Sequence, residues 1–223
     1  MTQPGSRSAE TRRRLLEAAG EVFAEEGFRG ATIQQICGRA AANIAAVHYH
    51  FGDKERLYTA VVDYADECAR AHAAATEAPA ASGAKPQVRL RAHVESFLTR
   101  LLDRGRPAWH AKLMAREMID PTAVLDRLVR ERMRANHENL ATIVRELLGP
   151  DAAADTVRLC VLSIVGQCVF YRHSAAVITR LYPDLVPAKE IARIADHVTR
   201  FSLAAIRGLR TARNGSNGSG TKA

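Results

Sequence analysis

Aromatic residues make up only 5% of this 223-residue chain, and β-branched residues rarely alternate with polar ones over strand lengths, so nothing in the pattern calls for a sheet. The nearest thing to a long apolar run, 159–171, is broken by Ser163 and Gln167 and is too short to span a bilayer. The first residues, Met1 to Arg7, lack an apolar core and lead into Arg12, Arg13 and Arg14, unlike a secretory signal. Together these absences predict a soluble, cytoplasmic protein without a membrane partner. Cysteine is sparse too: Cys37, Cys68, Cys160 and Cys168 have no CxxC spacing and sit in apolar stretches, which points to buried thiols in a reducing compartment. Phosphate-loop, nucleophile-elbow and HExxH patterns are missing, and no His/Cys/Asp set has metal-ligand spacing. His48 and His50, two apart on a helix, point to different sides. No enzyme, cofactor or metal is therefore expected, a ligand-binding helical enzyme being the weaker alternative.

What the chain has in quantity is Ala, Leu, Arg and Glu, which favour helix throughout. Its net charge of +8 suits a polyanionic partner but equally serves solubility. Residues 1–60 carry eight basic against seven acidic side chains, so bulk charge does not locate a nucleic-acid surface. Helices are expected at 8–26, ended by Gly27; at 32–39, opened by a Thr32/Gln35 capping box; at 43–51, with Asn43 as N-cap; and from Lys54 to about 76, capped by Asp53. Further helices are expected at 88–104, 107–119, 121–148, 152–180 and 187–211, with Asp120-Pro121, Gly149-Pro150 and Val186-Pro187 as punctuation. This divides the chain into an N-terminal domain (1–54), a connecting helix (55–77), a linker (78–87), a larger helical domain (88–213) and a disordered tail (214–223).

Three short helices with three or four residues between the last two form the layout of a helix-turn-helix, the third being the recognition helix. On that helix Val47 and Phe51 should pack inward against Leu16, Phe23 and Ile36, leaving Ala45, Ala46 and Tyr49 outward. Small side chains let a helix approach base edges closely, and Ile44 and the alanine methyls suit thymine methyl groups. His48, Tyr49, His50 and Lys54 offer donors for phosphate oxygens, as does the N-terminus of the fourth helix.

The string from Thr11 to Tyr58, with its FAEEGF helix end, Ala-Thr-Ile start and HYHFGDKERLY run, resembles the DNA-binding domain of the TetR family of bacterial regulators. The NIAAVHYHFG segment, with REMIDPTAVLDRLV further on, is similar to the CecR-type subgroup. The resemblance implies an all-α fold in which the helix-turn-helix domain precedes a larger dimerisation and ligand-binding domain. It places Gln34, Ile44, Ala45, Ala46 and His48 at base edges, and Tyr49, His50 and Lys54 at phosphates. Two residues depart from the family pattern: Ala41 replaces the usual turn glycine, and His48 a commoner tyrosine.

Beyond residue 187, Ile191, Ile194, Val198, Phe201 and Ala205 recur at spacings of three and four, a seam for other helices. The apolar 159–170 stretch is explained by burial on one side within its own domain and on the other by a second copy, or by a single helix buried wholly within the domain. Phe97, Leu101, Trp109, Met114, Met118, Met133 and Cys168 are candidates for an apolar cavity, with Arg116, Glu117 or Gln167 as polar anchors, or for ordinary core and surface. The functional expectation is a sequence-specific regulator, a homodimer on double-stranded palindromic operator DNA, repressing until a small-molecule effector releases it. Activation, or regulation without a ligand, is the alternative.

Overall fold

The computed structural model describes residues 4–73, 83–102 and 107–217. Among these every regular element is helical, with no strand. The chain forms two compact units: residues 1–76 with 104–130, and residues 77–103 with 131–223.

The first unit begins with α1 (Pro4–Gly30), whose regular path breaks at Gly27. Gly27 has φ 76° and ψ 170°, a conformation that side chains with a Cβ rarely adopt. The break returns Phe28 to the core, its ring 5.0 Å from that of Tyr58. α2 (Ile33–Ala40), α3 (Ile44–Phe51) and α4 (Lys54–Ala73) follow, close to the boundaries expected from the caps. Leu15, Leu16, Phe23, Ile36, Val47, Leu57 and Val61 are all buried.

Two further helices of this unit come from sequence assigned above to the C-terminal domain: α6 (His110–Ile119) and α7 (Ala123–Leu128). Their periodicity revealed an apolar face but not its partner. Leu113 and Trp109 are buried, and the Trp109 indole lies so close to α1 that a Cβ on Gly20 would stand 2.2 Å from it. The indole Nε1 donates to Glu17 at 3.0 Å, and Arg127 pairs with Asp63 at 3.0 Å.

In the second unit α5 (Pro86–Leu102) turns Leu90, Val94, Leu98 and Leu102 inward. They meet Leu140, Ile143 and Val144 of α8 (Arg134–Leu148), Val157, Val161, Ile164 and Cys168 of α9 (Ala154–His173), and Ile194 and Val198 of α11 (Ile191–Asn217). The short α10 (Ala175–Leu181) completes the set.

Several boundaries differ from the sequence reading. Pro121 does not start a helix: Thr122 is the N-cap, its hydroxyl accepting from the Val124 amide. The helix expected over 121–148 is interrupted by a π-helical turn at Val129–Met133, and the one over 152–180 breaks at Ser174. Pro187 opens a 3₁₀ turn rather than α11 itself. α11 runs helical to Asn217, into the segment expected to be a disordered tail; the rest of that tail, residues 218–223, lies outside the described residues, as do 74–77 of the connecting helix and 78–82 of the linker. Helix α9 is also longer than its apolar run suggested. At twenty residues it is long and apolar enough to cross a membrane by length and composition, yet its Val157, Val161, Ile164 and Cys168 face is packed into the core of the unit.

Candidate nucleic-acid interface

The turn between α2 and α3 comprises only Ala41, Ala42 and Asn43. Thr32 and Gln35 form the capping box, Thr32 Oγ1 accepting from the Gln35 amide at 3.2 Å while Gln35 Oε1 accepts from the Thr32 amide at 2.8 Å. Asn43 Oδ1 accepts from the Ala46 amide at 2.8 Å, and Asp53 Oδ1 from the Arg56 amide at 2.8 Å. Three caps in 22 residues thus fix where each helix starts.

Ala41 takes the left-handed conformation, φ 46° and ψ 50°, the one residue other than glycine with positive φ among the described residues. The turn geometry demands this conformation whichever residue fills it, and the strain costs about 1 kcal/mol for a residue with a Cβ. Arg14 of α1 compensates in a way the sequence did not announce. Its guanidinium donates to the carbonyls of Ala40 and, at 2.7 Å, of Ala41, tying the end of α2 to the first helix.

On α3 the inward and outward faces separate as the spacing required. Val47 is fully buried and Phe51 nearly so, while Tyr49 is 81% and Ile44 44% exposed. Ala45 and His48 are exposed, Ala46 and His50 half-buried, and Gln34 on α2 is exposed. The Tyr49 and His50 rings meet edge to face, centroids 5.0 Å apart. His48 Nδ1 lies 2.7 Å from the carbonyl oxygen of Gly52. Lys54 is placed differently from a free surface cation: its ammonium sits 4.9 Å from the Phe28 ring centroid and 3.4 Å from the Arg29 carbonyl. Arg12 lies 5.5 Å over the ring of Phe51. The outcome is a short, small-residue ridge on α3, flanked by aromatic and imidazole groups, on a helix held at both ends.

The polar residues considered as effector anchors have other duties. Glu117, 1% exposed, accepts from the Tyr58 hydroxyl at 2.5 Å, the Thr122 amide at 2.8 Å, the Thr122 hydroxyl at 2.9 Å and the Leu125 amide at 3.1 Å. Burial, with Glu117 beside it, raises the Tyr58 hydroxyl far above the usual tyrosine range. Arg116 donates to the carbonyls of Ala24, at 2.9 Å, and Glu25, at the break in α1. Arg116 and Glu117 therefore join α6 to α1 and α4, inside the unit that carries the helix-turn-helix. Gln167 donates to Ser163 and Ser202, and Met118 is exposed. Burial pushes the Cys168 thiol up to about 12, so it is core filler, inert at neutral pH.

A polar group that sequence reasoning passed over lies in the second unit: His93 Nε2 is buried without a hydrogen bond. Burial first, then Arg100 and His137, lower its imidazole to about 4. A lone histidine at helical spacing gave no signal for this in the sequence.

Of the five residues proposed for a dimer seam, Ile194 and Val198 are buried in their own core and Ile191 packs against it; Phe201, 60% exposed, and Ala205 face outward. Spacing alone merged two neighbouring faces of α11. The outward face continues across α9 as an apolar groove of 350 Å³ lined by Leu159, Cys160, Phe201, Ala205 and Leu209, with Leu162 and Phe170 also exposed.

The helix order, the three-residue turn and the outward ridge of α3 define a helix-turn-helix DNA-binding protein. Residues 15–61 match the family described as "Bacterial regulatory proteins, tetR family", and residues 86–206 match "HTH-type transcriptional dual regulator CecR, C-terminal domain". The chain is 27% identical over 170 residues to the HTH-type transcriptional dual regulator CecR of Shigella flexneri, covering 73% of this chain and 76% of that protein. It is 43% identical over 54 residues to the HTH-type transcriptional repressor NicS of Pseudomonas putida, covering 24% and 26% of the two. Among solved structures it resembles HlyIIR, a hemolysin II transcriptional regulator (TM-score 0.53, 21% identity, 86% of this chain and 98% of that one). A TetR-like transcriptional regulator from Rhodococcus sp. RHA1 is also similar (TM-score 0.58, 18% identity, 87% and 96%). The chain belongs to the TetR family of bacterial transcription regulators, in its CecR type. It is a DNA-binding regulator of transcription and not an enzyme.

Proposed function

We propose that the chain acts in the cytoplasm as a homodimer that represses transcription from a palindromic operator and is released by a small-molecule effector. The observation that carries the DNA part is the division of α3: Val47 and Phe51 hold the helix from within, and Ile44, Ala45, the half-buried Ala46, His48 and Tyr49 lie on the other side. With Gln34, the first four are assigned to base edges; Tyr49, His50 and Lys54 are assigned to phosphates. Lys54 reaches a phosphate only by leaving the Phe28 ring.

One recognition helix covers a few base pairs, whereas two copies at helical-turn spacing read a palindrome. The apolar groove between α9 and α11 supports a second copy as the occupant of that face, since Leu159, Leu162, Phe170 and Phe201 leave large apolar side chains exposed on these two helices. An effector then shifts the population between DNA-competent and DNA-incompetent dimers, about 1.4 kcal/mol per tenfold preference.

The test is a gel shift with DNA flanking the chain's own gene over a range of salt. Affinity should fall steeply with salt and Ala46→Trp should abolish specific binding; intact operator affinity in that variant would refute the placement of the ridge. The Shigella relative is described as a dual regulator, so a promoter fusion read with and without the chain separates repression, where expression rises on its removal, from activation, where it falls.

A further inference from the structure

His48 is held by a bond that decides what its free edge can recognise. Its Nδ1 stands 2.7 Å from the Gly52 carbonyl, and a carbonyl oxygen only accepts, so Nδ1 carries the proton of the neutral ring. The same Gly52 closes α3, its amide donating to the His48 carbonyl at 3.0 Å. The ring is thus pinned to the C-terminal cap of the helix at both its side chain and its backbone. In that neutral tautomer Nε2 holds a lone pair and no proton, on an exposed side chain of the outward face of α3.

A lone acceptor has few partners on a duplex. Every phosphate oxygen is itself an acceptor, so the neutral ring cannot bond the backbone. In the major groove the donors are the exocyclic amino groups, N6 of adenine and N4 of cytosine; guanine N7 and O6 and thymine O4 accept only. The neighbouring residues on this face, Ala45 and Ala46, offer no polar atom to compete for the amino group. We propose that His48 reads base identity as an acceptor, Nε2 receiving a hydrogen bond from the amino group of adenine or cytosine. A tyrosine hydroxyl at this position would donate or accept and so would not discriminate in this way. The inference rests on the reading that α3 enters the major groove.

The experiment selects an operator from random duplexes with the full-length chain at pH 8. Two variants identify the base pair that His48 senses: His48→Ala, and His48→Asn, whose amide nitrogen can stand where Nδ1 stands and keep the Gly52 bond while the Nε2 acceptor is lost. Single atoms of that pair are then deleted. Replacing adenine by purine, or cytosine by 2-pyrimidinone, removes the amino group and should weaken wild-type binding three- to tenfold, the range of one net hydrogen bond. Both variants should respond less than twofold, and 7-deazaadenine or 7-deazaguanine at the same pair, which lose N7 but keep every exocyclic group, should change nothing. The proposal is overturned if the wild type senses N7 or O6 instead, if both variants weaken binding to all duplexes equally, or if no base pair depends on residue 48. Failure to select any duplex would refute the DNA reading and this inference together, whereas an operator indifferent to His48 refutes the inference alone.

Discussion

Replacing Glu117 tests whether α6 is integral to the DNA-binding unit. Its carboxylate takes four donors, three on one oxygen from Thr122 and Leu125 and one on the other from Tyr58. Hydrogen bonds to an ionised group contribute about 1.5–3 kcal/mol each, but donors sharing one carboxylate are not additive. Glu117→Ala leaves the buried Tyr58 hydroxyl and two amides without their acceptor, and the expected loss is about 3–5 kcal/mol. Glu117→Gln should cost only about 1–2 kcal/mol, because its carbonyl oxygen keeps the Thr122 and Leu125 donors while its amide donates to a Tyr58 hydroxyl that turns to accept. Tyr58→Phe should cost about 1–2 kcal/mol, and the Glu117→Ala/Tyr58→Phe pair should show a coupling of about 1 kcal/mol. Trp109 is the single tryptophan and lies in the same unit, bonded to Glu17, so urea denaturation followed by its fluorescence reads this unit directly. A Glu117→Ala chain destabilised by less than about 1 kcal/mol, with Trp109 and circular dichroism transitions unchanged, would refute the argument.

Ala41→Gly removes the left-handed strain, offset in part by the added freedom of the unfolded chain, and should raise stability by about 0.5–1 kcal/mol in the same urea assay without loss of DNA binding. Gly20→Ala brings a Cβ to 2.2 Å from the Trp109 ring and should destabilise by about 1–3 kcal/mol with altered Trp109 emission. Phe201→Asp, on the outer face of α11, should shift sedimentation toward the monomer and reduce operator affinity while leaving the melting of the monomer nearly unchanged; Val198→Asp should unfold the second unit instead. His93 has a folded value of about 4 against an ordinary 6.5, so between these values the unfolded chain binds the proton that the folded chain does not. Its contribution to stability therefore rises as pH rises through that window, by about 2 kcal/mol for this partly buried group, and is fully lost below it. Comparing pH-dependent urea midpoints with His93→Leu, which should flatten that slope, checks the assignment.

The helix-turn-helix was legible because its determinants are local. Thr32, Gln35, Asn43 and Asp53 satisfy backbone donors within three residues, and the Val47/Phe51 spacing follows from 3.6 residues per turn, so short-range chemistry set both boundaries and faces. The strain at Ala41 was legible only through the family resemblance, which places a turn glycine at that position. Beyond residue 86 the sequence established helices and apolar faces but not which faces meet. Trp109, Arg116 and Glu117 read as a possible cavity wall until α1 and α4 supplied Glu17, the α1 carbonyls and Tyr58, partners some 60 to 90 residues away. In the same way Ile194 and Val198 could not be told from Phe201 by spacing, since α11 is apolar over more than one face; which side its own core covers was decided by α5, α8 and α9. Burial is a property of the partner surface, and long-range partners leave no mark at a fixed distance along the chain.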